Sequence, residues 1–251
     1  MCSLLVRGHE MPSRQTITLL TYNVHSCIGT DRKLDPARIA AVIAMARPDI
    51  VALQEVDVFR SRTGGVDQAK AIASLLKMQA HFHPSMTVAE ERYGDAIITA
   101  LPTGTIKADA LPSIGEPRGA IALEIQVAGH ELLVINTHLG LRGRERIQQV
   151  NTLLGAGWLG ERKSSAVLCG DFNAVPSSAA YRAATRTLGD AQRANPAGYR
   201  PTFPSRFPIL RLDHIFVTAD IEVSKTFVLD DPLARVASDH LPLVSVLSLP
   251  G

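Results

Sequence analysis

SAVLCGDFN, residues 165–173, decides how this chain is read. Residues 165–171 form an apolar run of strand length, too short for a buried helix. The run stops on Asp171, with Asn173 two residues on, so a carboxylate and an amide stand at the mouth of a buried strand. An acid beside apolar neighbours is costly unless something compensates its charge. The pattern recurs along the chain: TITLLTYNV (16–24) reaches Asn23, DIVALQE (49–55) ends on Glu55, and ELLVINTH (131–138) carries Asn136 and His138. LDHIFVT (212–218) opens with Asp213 and His214, and Asp239 and His240 stand just ahead of LPLVSVLSL (241–249).

Helical periodicity separates these strands. Asp35 and Pro36 read as cap and first residue of a helix whose apolar stripe is Ile39, Val42, Ile43 and Ala46, stopped by Pro48. Further helices are predicted over 66–77, with Ile72, Leu75 and Leu76 inward; over 143–159, with Ile147, Val150, Leu154 and Trp158 on one side; and over 177–188, capped by Ser177. GDAIIT (94–99), RGAIALEIQV (118–127) and IEVSKTFVL (221–229) are further strands, with a tight turn at Gly129-His130. The Pro/Gly-rich stretch 102–117 reads as a connection, and 195–211, with four prolines, as a long loop. LLTYNVH (19–25) and LVINTHL (133–139) echo one another. The expected architecture is α/β (α+β): two packed, mainly antiparallel β-sheets flanked by helices. It is expected as a single domain over 13–251 behind a flexible leader, 1–12, with Met11 as an alternative start.

The 251 residues include 26 Lys+Arg and 24 Asp+Glu, a net charge of +2, with 46% hydrophobic residues. Such a chain buries a core, which excludes a disordered protein. Near-neutrality and 5% aromatics argue against holding nucleic acid by bulk charge, while leaving a local basic strip open. No apolar run reaches the roughly 18 residues of a membrane span. Leu4, Leu5 and Val6 are too few for a secretory signal, so a cytoplasmic protein is expected. Cys2, Cys27 and Cys169 form no CxxC pair and read as apolar filler.

Carboxylates and amides gathered at strand ends suit Mg²⁺ or Mn²⁺ rather than zinc. Histidines beside them can stabilise an oxyanion or position water. Without a Walker-type loop or a G-x-S-x-G elbow, metal-assisted phosphoester hydrolysis is the chemistry these residues serve best.

TYNVH (21–25), LQEVD (53–57), RYGDAIIT (92–99), EPRGAI (116–121), INTHLGL (135–141), CGDFN (169–173), LDHIFV (212–217) and SDHLPL (238–243) together resemble the endonuclease/exonuclease/phosphatase superfamily of DNase I-like, metal-dependent phosphoesterases, in that family's order. The resemblance implies a four-layer sandwich and a cofactor, Mg²⁺, for which Mn²⁺ substitutes. It implies that Glu55 is the principal metal carboxylate, with Asn23 beside it and Asp239 completing or water-bridging the sphere. Asp171 would orient or deprotonate the attacking water with help from Asn173, and His240, oriented by Asp213, would stabilise the scissile phosphate. His138 stands where the family carries a second phosphate-stabilising residue, and Arg118 is assigned to phosphate docking. Two positions depart from the family: Asp95, where many relatives carry Asn, adds a carboxylate, and His25 replaces an acid.

Other polar residues carry plainer expectations. Asn136 is read as a turn cap, His214 as structural, and His9, His81, His83 and His130 as exposed or loop residues. Asp57 is left open between the Glu55 face and the surface, and LRGRERIQQ (141–149) is read as a solvated helix start. The expected substrate is a phosphate ester, leaning to a lipid or small phosphodiester; DNA or RNA is the alternative and a non-catalytic binding module the remote one. No obligate protein partner is expected. Loop 199–211, with Tyr199, Phe203, Phe207, Ile209 and Leu210, either packs its aromatics on the sandwich, the favoured reading, or makes transient contact with lipid or membrane.

Overall fold

Two parallel strand pairs organise the chain, and parallel neighbours require a crossover between them. In the computed structural model, which describes residues 15–160, 164–194 and 200–250, β1 (Gln15–Asn23) crosses through helix α1 (Pro36–Ala46) to β2 (Ile50–Val58). The sequence then runs through α2 (Gln68–Leu76), β3 (Gln79–Val88), β4 (Glu91–Thr99), β5 (Thr103–Leu111) and β6 (Arg118–Val127). A second crossover joins β7 (His130–His138) through α3 (Gly143–Leu154) to β8 (Ala166–Asp171). After α4 (Ala179–Ala184), β9 (Gly189–Asp190) and α5 (Ala191–Ala194) come β10 (Asp213–Val217), β11 (Glu222–Val228), α6 (Pro232–Ala237) and β12 (Leu243–Leu249). The predicted leader 1–12, with Cys2 and His9, and Tyr199 of the proline loop lie outside the described residues.

One six-stranded sheet has the order β11-β12-β1-β2-β4-β3, the other β5-β6-β7-β8-β10-β9. The inner faces meet through side chains such as Leu19, Ala52 and Ile97 from the first and Leu123, Val134 and Ile215 from the second. Ile39, Ile43 and Ile72 carry α1 and α2 onto the first sheet, while Val150, Leu153 and Tyr181 carry α3 and α4 onto Ile135, Leu168 and Phe216 of the second. This is the four-layer, DNase I-like sandwich. Among the described residues no helix is long and apolar enough to cross a membrane.

The sheets are pinned by a polar group inside this apolar interface. Asn136 on β7 donates to Leu53 O (2.8 Å) and Ala96 O (2.9 Å) and accepts from Gln54 Nε2 at 2.6 Å. It bridges the sheets and caps no turn, which corrects the sequence reading.

Most elements lie where periodicity placed them, and the differences have physical causes. The α1 cap is as expected: Asp35 accepts from Arg38 N and Pro36 starts the helix. In α2 the buried face is Ala69, Ile72 and Ala73, and Leu75, expected inward, is 57% exposed. Helix α3 stops at Gly155, so Trp158 is buried from the following turn rather than from the helix. Ser178, not Ser177, caps α4. The hairpin turn is Ala128-Gly129, both at positive φ, one residue earlier than read. Strands β3 and β5 were not foreseen. Each is a sheet edge with mostly half-exposed or exposed side chains, so the alternation that marks a strand is weak, and β3 contains Pro84, which edges tolerate. His81 and His83 therefore sit half-buried on a strand, not in a loop. Helix α6 was also missed, although Asp231-Pro232 repeats the cap signal of Asp35-Pro36.

Gly170 shows how tightly β8 is fitted. It sits at φ +136°, and a Cβ there would come within 1.9 Å of Thr137 O on β7. Gly170→Ala is expected to cost at least about 3 kcal/mol through strain and strand separation. Urea denaturation reads the loss, and an unchanged midpoint would contradict it.

Candidate active site

Strand register assembles half of the site. His138 on β7 is the partner of Asp171 on β8, and Asp171 is the partner of Asp213 on β10, so the three stand in one row across adjacent strands. The other half comes from β1 and β2. Between Leu53 and Val56 the pairing of β2 with β4 slips, and Glu55 takes φ +60°. Such a bulge re-aims a side chain, and Glu55 lines the same cleft, about 530 Å³ in volume, as Asp171, Asp239 and His240. Asn23 closes the gap between the halves: its Nδ2 donates to Glu55 Oε1 and Asp171 Oδ2, both at 3.0 Å.

Asp171 is buried at the centre. Its Oδ1 accepts from Asn173 N at 2.8 Å, and its Oδ2 lies 3.5 Å from His138 Nε2 and 3.6 Å from His240 Nε2. Burial raises its pKa above the ordinary carboxylate value, partly offset by His240. His240 is the cationic member. Burial acts to lower its pKa, but Asp213 and Asp171 outweigh burial and lift it to about 10. Its Nδ1–H donates to Asp213 Oδ2 at 2.8 Å, the same oxygen that accepts from Thr202 Oγ1. Nε2–H is thereby aimed into the cleft, and the Phe203 ring, 4.8 Å away between centroids, packs against the imidazole.

His138 is the neutral counterpart. Burial, then the charges of Arg118 and His240, hold its pKa well below 6.5. Its Nδ1 faces Arg118 Nη1 at 2.9 Å and its Nε2 faces Asn173 Nδ2 at 3.0 Å, two N–H donors that disfavour a second ring proton. Arg118 lines the cleft, but its buried Nη1 is shared between His138 and Glu116, each at 2.9 Å. Asp95, the departure from the family pattern, is buried nearby. Desolvation, then the charges of Glu55 and Asp171, push its pKa up to about 8 against the pull of Arg118.

The donor chemistry fits a hard divalent cation. Among the described residues neither Glu55 nor Asp239 forms an ion pair with Lys or Arg, so two cleft carboxylates are left for another positive charge. Asn23, assigned to the metal by the resemblance, spans the two acids. Its oxygen accepts from His25 N at 3.0 Å and only its N–H groups face the acids, so it braces Glu55 against Asp171. Asp171, Asp213 and His240 also bring ligand atoms within 4.8 Å of one another. Asp213 Oδ2 is already engaged by His240 Nδ1 and Thr202 Oγ1.

A family model described as "Endonuclease/Exonuclease/phosphatase family" matches residues 20–240. The chain belongs to this family. The endonuclease/exonuclease/phosphatase family comprises phosphoester hydrolases, and its members include proteins similar to this one. Tyrosyl-DNA phosphodiesterase 2 of Mus musculus is 25% identical over 66% of this chain, which spans only 43% of that protein's length. The uncharacterized protein YbhP of Escherichia coli K12 is 26% identical over 92% of this chain and 96% of its own length. A family structure from Beutenbergia cavernae superposes with a TM-score of 0.79 at 24% identity, covering 95% of this chain and 72% of that one.

Several residues that complete the site were not singled out from the sequence. Thr202 and Ser238, which donates to Asn23 O at 2.7 Å, are hydroxyls in segments without periodicity. Tyr93, inside the RYGDAIIT motif, lines the cleft. Asp57 is not a surface residue: it is fully buried and paired with Arg62, which lines the cleft together with Glu55. Arg142 and Arg144, at the start of α3, are exposed as expected.

His214 is structural, as read: buried, with Nε2 on Ala174 O at 2.7 Å and its ring stacked on Phe216. Burial, then Arg211, lower its pKa from 6.5 to about 4. The unfolded chain therefore binds this proton first as pH falls, and stability drops from pH 6.5 down to pH 4, by roughly 3 kcal/mol in all for this group. His214→Phe should flatten the stability–pH slope in that window, measured by denaturant titration; an identical slope would refute the assignment.

Proposed function

We propose that this protein is a divalent-metal-dependent phosphodiester hydrolase acting on a lipid or small phosphodiester. The observation that carries the reading is the Asp171 carboxylate, held between a cationic and a neutral imidazole and within reach of a cleft acid, Glu55, through Asn23. A buried carboxylate of raised pKa is a competent base for an attacking water. Asn173 and Asn23 hold it in place, and His240 Nε2–H presents a full positive charge to the phosphoryl oxygens, where negative charge concentrates as the water adds. Neutral His138 orients a further oxygen without competing for the proton. Glu55 and Asp239 would hold Mg²⁺ or Mn²⁺, which when bound supplies Lewis-acid neutralisation of the phosphate.

The lean towards lipid rests on the loop beside the cleft. Phe203 packs on His240, as the favoured reading of the loop expected of its aromatics, but Phe207 is 80% and Ile209 76% exposed. Apolar side chains beside arginines suit transient contact with a lipid surface. DNA is the second reading, favoured by the name of the mouse relative.

With Mg²⁺ or Mn²⁺ the protein is expected to cleave bis-p-nitrophenyl phosphate, EDTA to abolish the reaction, and Asp171→Asn to lower kcat about a hundredfold or more. Turnover indifferent to EDTA would overturn the metal-dependent reading. Vesicles, plasmid DNA and small diesters assayed side by side rank the substrate classes, and cleavage of plasmid alone would displace lipid in favour of DNA.

A further inference from the structure

Arg60 and Arg62 line the same cleft as His138, Asp171 and His240. We propose that they form a subsite for a second phosphate group carried by the same substrate molecule. The inference rests on the phosphoester hydrolase reading and narrows its substrate class.

Arg62 is held by an apparatus larger than a surface arginine needs. Its Nε and Nη2 donate to the two oxygens of Asp57 at 2.7 and 2.8 Å, and Nη2 also donates to Ser26 Oγ at 2.9 Å. Thr63 Oγ1 donates to Asp57 as well, at 3.1 Å. Gln68 ties the assembly together, accepting from Asp57 N at 2.9 Å and donating to Ser26 O at 2.7 Å. Asp57, Thr63 and Gln68 are wholly buried, whereas the Arg62 side chain is 48% exposed. An ion pair serving only the fold would gain by burying both partners. Here the anion and its supports are buried and the cation is presented to the cleft, with its guanidinium 5.5 Å from the centre of the Tyr93 ring.

The fork grips Asp57 through Nε and Nη2, so Nη1 takes part in none of these bonds and is available to a ligand. Arg60 adds a second guanidinium. Its Nε is buried without a hydrogen bond, although Glu91 lies 3.5 Å away. Two guanidinium groups, one locked before any ligand arrives, offer N–H donors beyond their Asp57 and Glu91 pairs to the several acceptor oxygens of a phosphate monoester. Preorganisation lowers the entropy lost on binding. A cleft of about 530 Å³ also has room for more than one phosphoryl group.

The test compares matched chromogenic diesters: ω-phosphoalkyl p-nitrophenyl phosphates with ethyl, propyl and butyl chains, and the same compounds with a terminal hydroxyl. Wild type with Mg²⁺ should favour the best phosphorylated ester over its hydroxyl partner by about tenfold or more in kcat/KM, expressed in KM. Arg62→Gln should bring that ratio close to one. Arg60→Gln, which leaves the Asp57 pair intact, should lower it and keeps the test valid if Arg62→Gln fails to fold. Equal kcat/KM for both series in wild type, or a preference that survives the substitutions, would overturn the subsite. Hydrolysis of neither series by wild type would instead overturn the hydrolase reading on which it rests.

Discussion

The two sheets must stop sliding at one height, and Asn136 fixes that height. Its side chain lies in the apolar interface and bonds to the backbone of β2 and β4 and to Gln54, the residue beside Glu55. A polar group placed there without partners would cost about 1–3 kcal/mol, so only one alignment of the sheets satisfies it. In that alignment the ends of β1 and β2 meet the ends of β7 and β8. Asn23 then spans from Glu55 to Asp171 across a distance that hydrophobic packing alone would not hold constant. The geometry of the cleft follows from this fixed stacking.

Charge within the cleft is arranged in opposed pairs. Asp213 makes His240 a cation, while Arg118 and burial keep His138 neutral. Two imidazoles on either side of one carboxylate thus acquire different tasks from their surroundings. Asp57 plays the role for Arg62 that Asp213 plays for His240: a buried acid fixes the direction of a basic side chain that lines the cleft. Backbone strain accompanies these groups. Glu55, Asn173 and the turn His25–Cys27 all have positive φ, a cost retained where side-chain aim matters more than comfort.

The gathering of polar residues in the cleft was legible because each stands at the end of an apolar run, a signal that burial makes expensive and therefore informative. The echo between residues 19–25 and 133–139 was also meaningful: these strands lead the two parallel pairs. What escaped was of two kinds. Edge strands β3 and β5 have no fully buried face, most of their side chains being half-buried or exposed, so their sequence carries little alternation. Helpers such as Thr202 and Ser238 act through hydroxyls, and a serine or threonine in a loop looks the same whether it orients an acid or meets water. Asn136 and Asp57 show a third difficulty. Their residue types are common on surfaces, and only the sheet stacking and the Arg62 fork reveal why they are buried.

Strand β12 lies between β11 and β1, so the first strand of the sheet gains its second neighbour only from the last. On the ribosome, β1 and β2 emerge long before β12, and the sheet stays open along that seam while some two hundred residues are added. His240, just ahead of β12, arrives at the same late moment. A nascent or prematurely ended chain is thus left with an adhesive flank and a cleft without its buried imidazole cation, so a complete cleft and protection from misassociation are acquired together.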